Sequence, residues 1–180
     1  MSITATHDGI CRYFGGDYDQ PTRTYRSSPV PGVGVVRRGW PKNENQADYF
    51  LGMEPGARTG SQIVVAIPRS HEVRRAVGGE HGGIKEIVYE VILNVYLRSR
   101  TAYAEDAQDD AYALRDALAE WLRRDRTLGG AVFQAAEHVE EGGPAGGDGL
   151  DFEYAQPSTK AELTKGYFSM RFAAVEFVEA

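Results

Sequence analysis

Cysteine is almost missing from this chain: Cys11 is the only one in 180 residues. A single thiol cannot close an intramolecular disulfide, and it excludes a Cys-rich metal site. Long uncharged apolar runs are missing as well, and no stretch approaches the ~20 residues that span a bilayer as a helix. Residues 1–8 lack the basic and apolar regions of a secretory signal, so the expectation is a chain that folds in a cytoplasm with no membrane partner. Positive charge is in the minority, 20 Lys and Arg against 26 Asp and Glu, for a net charge of -6. That balance argues against general nucleic-acid binding, though it does not exclude a wall that DNA slides past without adhering. Regular strand-helix alternation and internal repeats are also lacking, which counts against a doubly wound or solenoid fold.

What is present is an ordinary soluble composition, 42% hydrophobic and 26% charged, in a length that suits one domain with its own core. The chain is organised around residues 85–130. Ile87, Tyr89, Val91, Leu93, Val95 and Leu97 share one parity, while Val88, Glu90, Ile92, Asn94, Tyr96 and Arg98 share the other. A strand therefore shows one apolar face and one half-wet face. Its span, roughly 40 Å, is long for a single strand and demands neighbours along its length. The period then changes. Ala107, Ala111, Leu114, Leu118, Trp121 and Leu122 recur at helical spacing, with acids before them and Arg123, Arg124 and Arg126 after. Thr101 is the expected N-cap and Gly129-Gly130 the expected stop.

Elsewhere the signals are shorter. Residues 10–14 suggest a brief helical turn ended by Gly15-Gly16, within an otherwise loose N-terminus. Residues 32–38, bracketed by Pro29, Pro31 and Pro41, suggest a short edge strand. Residues 47–53 suggest a strand before the turn at Pro55-Gly56, and residues 62–68 a buried strand. The basic, then Gly-rich residues 69–83 fit a long hairpin with the strand that follows. Residues 131–139 read as a strand, 140–157 as a mobile acidic Gly-rich loop, and 165–179 as a final strand. Its apolar parity switches at Val175, which implies a bulge or an end covered on both sides. The fold class expected is α+β, a mostly antiparallel sheet covered on one face by one long amphipathic helix. It is read as one domain over 1–180, with an irregular region at 1–60 and the core at 61–180.

No group of residues announces a reaction. His7, Asp8 and Cys11 have ligand-type side chains without a fourth partner, so no metal is assigned. Nothing around Cys11 resembles a nucleophile site, and a buried structural thiol is the favoured reading. The run Gly78-Gly79-Glu80-His81-Gly82-Gly83 lacks the Lys-Ser/Thr ending of a phosphate loop and precedes a strand, so it reads as a turn. The helix carboxylates read as a solvated face. Two charged stretches remain. Arg69, Arg74 and Arg75, with Arg98 and Arg100 near in sequence, form a basic region; Glu137, Glu140, Glu141, Asp148, Asp151 and Glu153 form an acidic one, with no Lys or Arg across 127–159. The plain reading is a solvated loop; the functional one is a partner interface whose charges set partner and register.

From about residue 62 onward the pattern resembles the tail terminator (minor tail, head-tail joining) proteins of long-tailed bacteriophages, the lambda-like family. The elements that carry the likeness are the short strand 63–67, the long strand 86–98 and the helix 104–124. They continue with the turn Asp125-Arg126-Thr127-Leu128-Gly129-Gly130-Ala131-Val132 and end with Gly166-Tyr167-Phe168-Ser169-Met170-Arg171-Phe172-Ala173-Ala174-Val175. The resemblance implies a tail-terminator-like fold and a structural virion protein without a cofactor. Its implied partners are itself, as a hexameric ring, the major tail tube protein and the head-side connector or stopper protein, with DNA passing through the lumen. It implies a place at the head-proximal end of the tail. Two other readings stand beside it: a different connector component (stopper or tail completion) or a tail tube subunit, and a small cytoplasmic ligand-binding enzyme.

Overall fold

Apolar residues at period two make three long strands, and these set everything else in place. The computed structural model describes residues 2–15, 18, 19, 22, 24–39, 49–77, 82–101, 103–136, 149–160 and 163–179. In chain order the elements are α1 (Ile3–Tyr13), β1 (Tyr18–Asp19), β2 (Thr24–Tyr25), β3 (Val35–Arg37), β4 (Thr59–Val77) and β5 (Gly83–Ser99). They continue with α2 (Ala104–Arg124), β6 (Gln134–Ala135), β7 (Asp151–Lys160) and β8 (Leu163–Glu179). β1 and β2 form a small separate pair. The main sheet runs β3-β4-β5-β8, and β8 carries β7 along one part of its outer side and β6 along another. All its pairings are antiparallel except β3 with β4. The class is α+β with a mostly antiparallel sheet, as expected.

The core lies on one face of that sheet. Val95 stands opposite Phe168, Leu93 opposite Met170, Val91 opposite Phe172 and Tyr89 opposite Ala174. All eight are buried, so cross-strand apolar pairs fill the face row by row. Two helices cover this face among the described residues, where one was expected. α2 brings Leu114, Leu118 and Leu122; α1 brings Ile10, Cys11 and Phe14 to the same core. The helices meet where Tyr13 Oη donates to the Trp121 carbonyl at 2.6 Å and Trp121 Nε1 donates to the Tyr13 carbonyl at 3.1 Å.

The N-terminus is therefore not loose. Ser2 caps α1 by accepting from the Ala5 N–H at 3.3 Å, and the helix ends at Gly15, whose φ of +101° suits a residue without Cβ. The region 1–60 shares the core through Ile10, Phe14, Val30 and Val33. Of residues 47–53, expected as a strand, 47 and 48 lie outside the described set and 49–53 form no strand: 50–52 are a turn, Tyr49 is buried, and Arg98 lies over its ring at 4.5 Å. β4 runs well past Pro68, because a register shift between Ala66 and Arg69 absorbs the proline. The hairpin expected over 69–83 forms between β4 and β5. Between 131 and 136 only β6 is strand, and residues 137–139 lie outside the described set. No register shift occurs between β5 and β8, so the parity switch at Val175 is not a bulge in that pairing. Val175 is buried on the back face and Glu176 on the core face.

Both expected boundaries of α2 need correction. The cap position is Tyr103, which makes no side-chain capping bond. Thr101 instead donates to Asp106 Oδ2 at 2.8 Å and accepts from the Tyr103 N–H at 3.2 Å. The helix ends at Arg124, before a turn that precedes Gly129-Gly130. Asp125 accepts from the Thr127 N–H and hydroxyl and from the Gly129 N–H. These bonds hold its carboxyl below the usual carboxylate range, with the Thr127 hydroxyl contributing most. The turn drives Leu128, at φ +52°, into the core.

Candidate subunit interface

Among the described strands, β4 is flanked on both sides only where β3 reaches it, at Gln62, Ile63 and Val64. Beyond that point, α1 closes the edge at one place: His7 Nε2 lies 2.9 Å from the Val65 carbonyl oxygen, positioned to donate to it. From residue 69 onward no described strand pairs with the side of β4 away from β5. Arg69, Ser70, His71, Glu72, Arg74 and Arg75 are exposed there.

The arginines of the basic stretch have different duties. Arg69 and Arg74 make no ion pair among the described residues. Arg75 is engaged: its Nε donates to Glu86, whose side chain is only 4% exposed. Arg98 and Arg100 do not join this group. They lie toward the other end of β5, and Arg98, paired with Gly60, is roughly 26 Å along the strand from Glu90, the partner of Arg69. Arg100 stacks on Phe50, with its guanidinium carbon 3.8 Å from the ring centroid. The basic region is thus a short arm carrying Arg69 and Arg74.

The acidic region divides too. Asp151 and Glu153 are not in a loop; they stand on β7, exposed, at the opposite side of the sheet from β4. Glu153 accepts from Arg171 Nη2 at 2.9 Å. Glu137, Glu140, Glu141 and Asp148 lie outside the described residues. Through the pairing rows, Arg69 is level with Ala173 and Asp151 with Arg171, so the basic and acidic edges stand almost directly across the sheet.

The other sequence candidates are accounted for locally. Asp8 pairs with Arg38 at 2.6 Å, and His7 serves the Val65 carbonyl. Cys11 is 1% exposed; burial, then the Asp8 carboxylate, push its thiol up to about 12 against a pull from Arg38. A thiol held so far above neutrality is no nucleophile. On α2, Asp110 takes a two-pronged bond from Arg58 and one from the Thr59 hydroxyl. Burial raises that carboxyl, but Arg58 and Thr59 outweigh it and hold it low. Asp116 pairs with Arg115 and Glu120 with Arg124, as a solvated helix face would.

Sequence reasoning missed a buried polar group. Glu176 Oε2 accepts from the Thr6 hydroxyl and the Tyr89 phenol, each at 3.0 Å. Burial first, then Glu176, push the Tyr89 phenol up to about 12, while Thr6 pulls the other way. The available signal was the parity of Glu176, which follows Phe168, Met170, Phe172 and Ala174 onto the core face.

An apolar cleft of about 240 Å³ opens between the first half of α2 and the sheet, walled by Leu97, Ala104, Ala107, Ala111, Gly166 and Phe168. Several of its polar groups bond locally: Thr59 donates to Asp110 and lies 2.9 Å from the Ser99 hydroxyl, and Gln108 donates to Tyr112. No described helix is long and apolar enough to cross a membrane. No protein-family model matches the chain, and no curated protein does.

Proposed function

We propose that this chain is a structural protein of a bacteriophage virion, a tail terminator that forms a ring, caps the tail tube, ends tube polymerisation and joins the tail to the head connector. The observation that carries the reading is the pair of sheet edges that no described strand covers, basic at Arg69 and Arg74 and acidic at Asp151 and Glu153. One surface complements another elsewhere on the same chain, which is what a head-to-tail ring requires. The family resemblance rests on the strands 63–67 and 86–98, the helix 104–124, the turn 125–132 and the segment 166–175. In this reading the partners are further copies of the chain, the major tail tube protein and the head-side connector, and DNA passes a wall of net negative charge without adhering.

The test is electron microscopy of the purified chain with and without tail tubes. Rings that sit on tube ends and stop their growth are expected. Particles that stay single and leave tubes growing overturn the proposal. A second reading, a tail tube subunit, is favoured by the long β4–β5 hairpin; stacked tubes of the chain alone would select it.

A further inference from the structure

We propose that copies of this chain join strand to strand, residues 69–71 of β4 on one copy pairing antiparallel with residues 151–153 of β7 on the next, so that one sheet continues around the ring. This deepens the ring reading above and rests on it for the symmetry that relates the copies.

Both edges offer a regular stretch of bounded length. The register of β4 shifts between Ala66 and Arg69 and again between Arg74 and Ala76, leaving residues 69–74 regular between the two irregularities. Pro68 has no N–H to give, so pairing cannot extend past that end. Such devices ordinarily blunt an edge against indiscriminate association. Here they leave one window that accepts one short strand. β7 is regular at 151–155 and shifts register between Ala155 and Ser158. Both windows are short, and each is closed at one end at least by a register shift.

Direction and facing then follow from symmetry. Each step from β4 through β5 and β8 to β7 is antiparallel, so β4 and β7 point in opposite directions. A rotation about a ring axis preserves the direction of every strand, so β4 of one copy meets β7 of the next antiparallel. The same rotation preserves the faces of the sheet. Arg69 pairs with Glu90, and Asp151 reaches Ile92 through Arg171; Glu90 and Ile92 share a parity, so Arg69, His71, Asp151 and Glu153 project from the same face.

One antiparallel register sets Arg69 opposite Glu153 and His71 opposite Asp151. Opposite charges placed directly across a strand pair favour it, and like charges oppose it. The contact of Glu153 with Arg171 inside its own copy does not compete strongly, because both side chains are largely exposed and screened. Backbone hydrogen bonds supply the attraction, as in other cases of strand addition, and the charges fix which edge is accepted.

Cross-linking tests the register directly. Arg69→Cys and Glu153→Cys chains are assembled together on tail tubes and oxidised; opposed residues of an antiparallel pair lie about 4.5–5.5 Å apart at Cβ, close to disulfide reach. A cross-linked dimer is expected from the mixture and from neither variant alone, since Cys11 is buried and inert. Separately, Arg69→Glu is expected to lower ring yield at least tenfold while circular dichroism shows an unchanged fold, and adding Glu153→Arg to the same chain is expected to restore it. Rings of the mixed cysteine variants that give no cross-link, or rings that form equally well from Arg69→Glu, overturn the strand pairing alone. So does failure of the double variant to recover. Wild-type chains that never form rings, on tubes or free, overturn the ring reading itself.

Discussion

β4 is one strand with two different halves. Up to Val65 it is buried between neighbours: Ile63 is fully buried, and Val64 and Val65 are nearly so. From residue 68 to 75 it is exposed except at Val73, and among the described strands β5 alone pairs with it. The chemistry of each half fits its surroundings. The covered half is β-branched and apolar, and the uncovered half is charged and carries Pro68 at its start. α1 sits at the junction, with His7 meeting the carbonyl of Val65 where β3 gives out. The comparison teaches that a strand's role is set by what flanks it: the covered half belongs to the core, and the uncovered half is available to another molecule.

The largest expected effect lies in the covered half. Ile63→Ala should cost about 2–5 kcal/mol, the usual range for emptying a packed core position. Val73→Ala in the uncovered half should cost under about 1 kcal/mol. Urea unfolding of the two variants measures the contrast directly, and equal losses would break it. Next comes the clamp at the junction. The Cys11 thiol ionises near 9.0 when unfolded and near about 12 when buried. Between those values the unfolded chain binds fewer protons, so stability falls as pH rises, by up to about 4 kcal/mol. Tyr89 adds to the fall above its ordinary value of 10.0. Cys11→Ala should flatten the loss between about pH 9 and pH 10, where Tyr89 does not yet contribute. An unchanged slope in denaturant midpoints would show that α1 is not held where the structure places it.

These contrasts also show what the sequence made legible. The long strand and α2 were readable because apolar periodicity is local: Ile87 to Leu97 alternate, and Leu114, Leu118 and Leu122 recur at helical spacing. α1 was not, because Thr4, Thr6, His7, Asp8 and Gly9 are poor helix formers, and its stability comes from Ile10, Cys11 and Phe14 docking on distant strands. The end of β4 was misplaced at Pro68 because a proline ordinarily ends a central strand, and only the register shift lets this one continue. The charged edges were visible as composition. Their allocation was not: Arg75 goes to a buried Glu86, Arg98 to Tyr49, and Asp151 and Glu153 join a strand that the preceding glycines disguised as loop.

Two adjacent arginines sharpen the comparison within the uncovered half. Arg75→Ala removes a charge-assisted partner from the buried Glu86 carboxylate and should cost about 1–3 kcal/mol. Arg74→Ala, beside it but facing solvent, should change stability by less than about 0.5 kcal/mol. Equal costs would mean that the arm is uniformly solvated and that Arg75 is as available to a partner as Arg74.

The smallest expected effect on stability is the one most revealing of function. Arg69→Ala should leave the unfolding free energy within about 0.5 kcal/mol of wild type, because the side chain is exposed and makes no described ion pair. If its charge is spent on a neighbouring copy, assembly and not folding must register the loss. Exposed charge pairs are screened on a length of about 10 Å at 0.1 M salt, so raising salt should weaken wild-type assembly more than Arg69→Ala assembly. Sedimentation across a salt series separates the two cases. A wild-type ring indifferent to salt would place the energy of association in apolar contacts, and the uncovered half of β4 would then be an edge kept charged merely to stay unpaired.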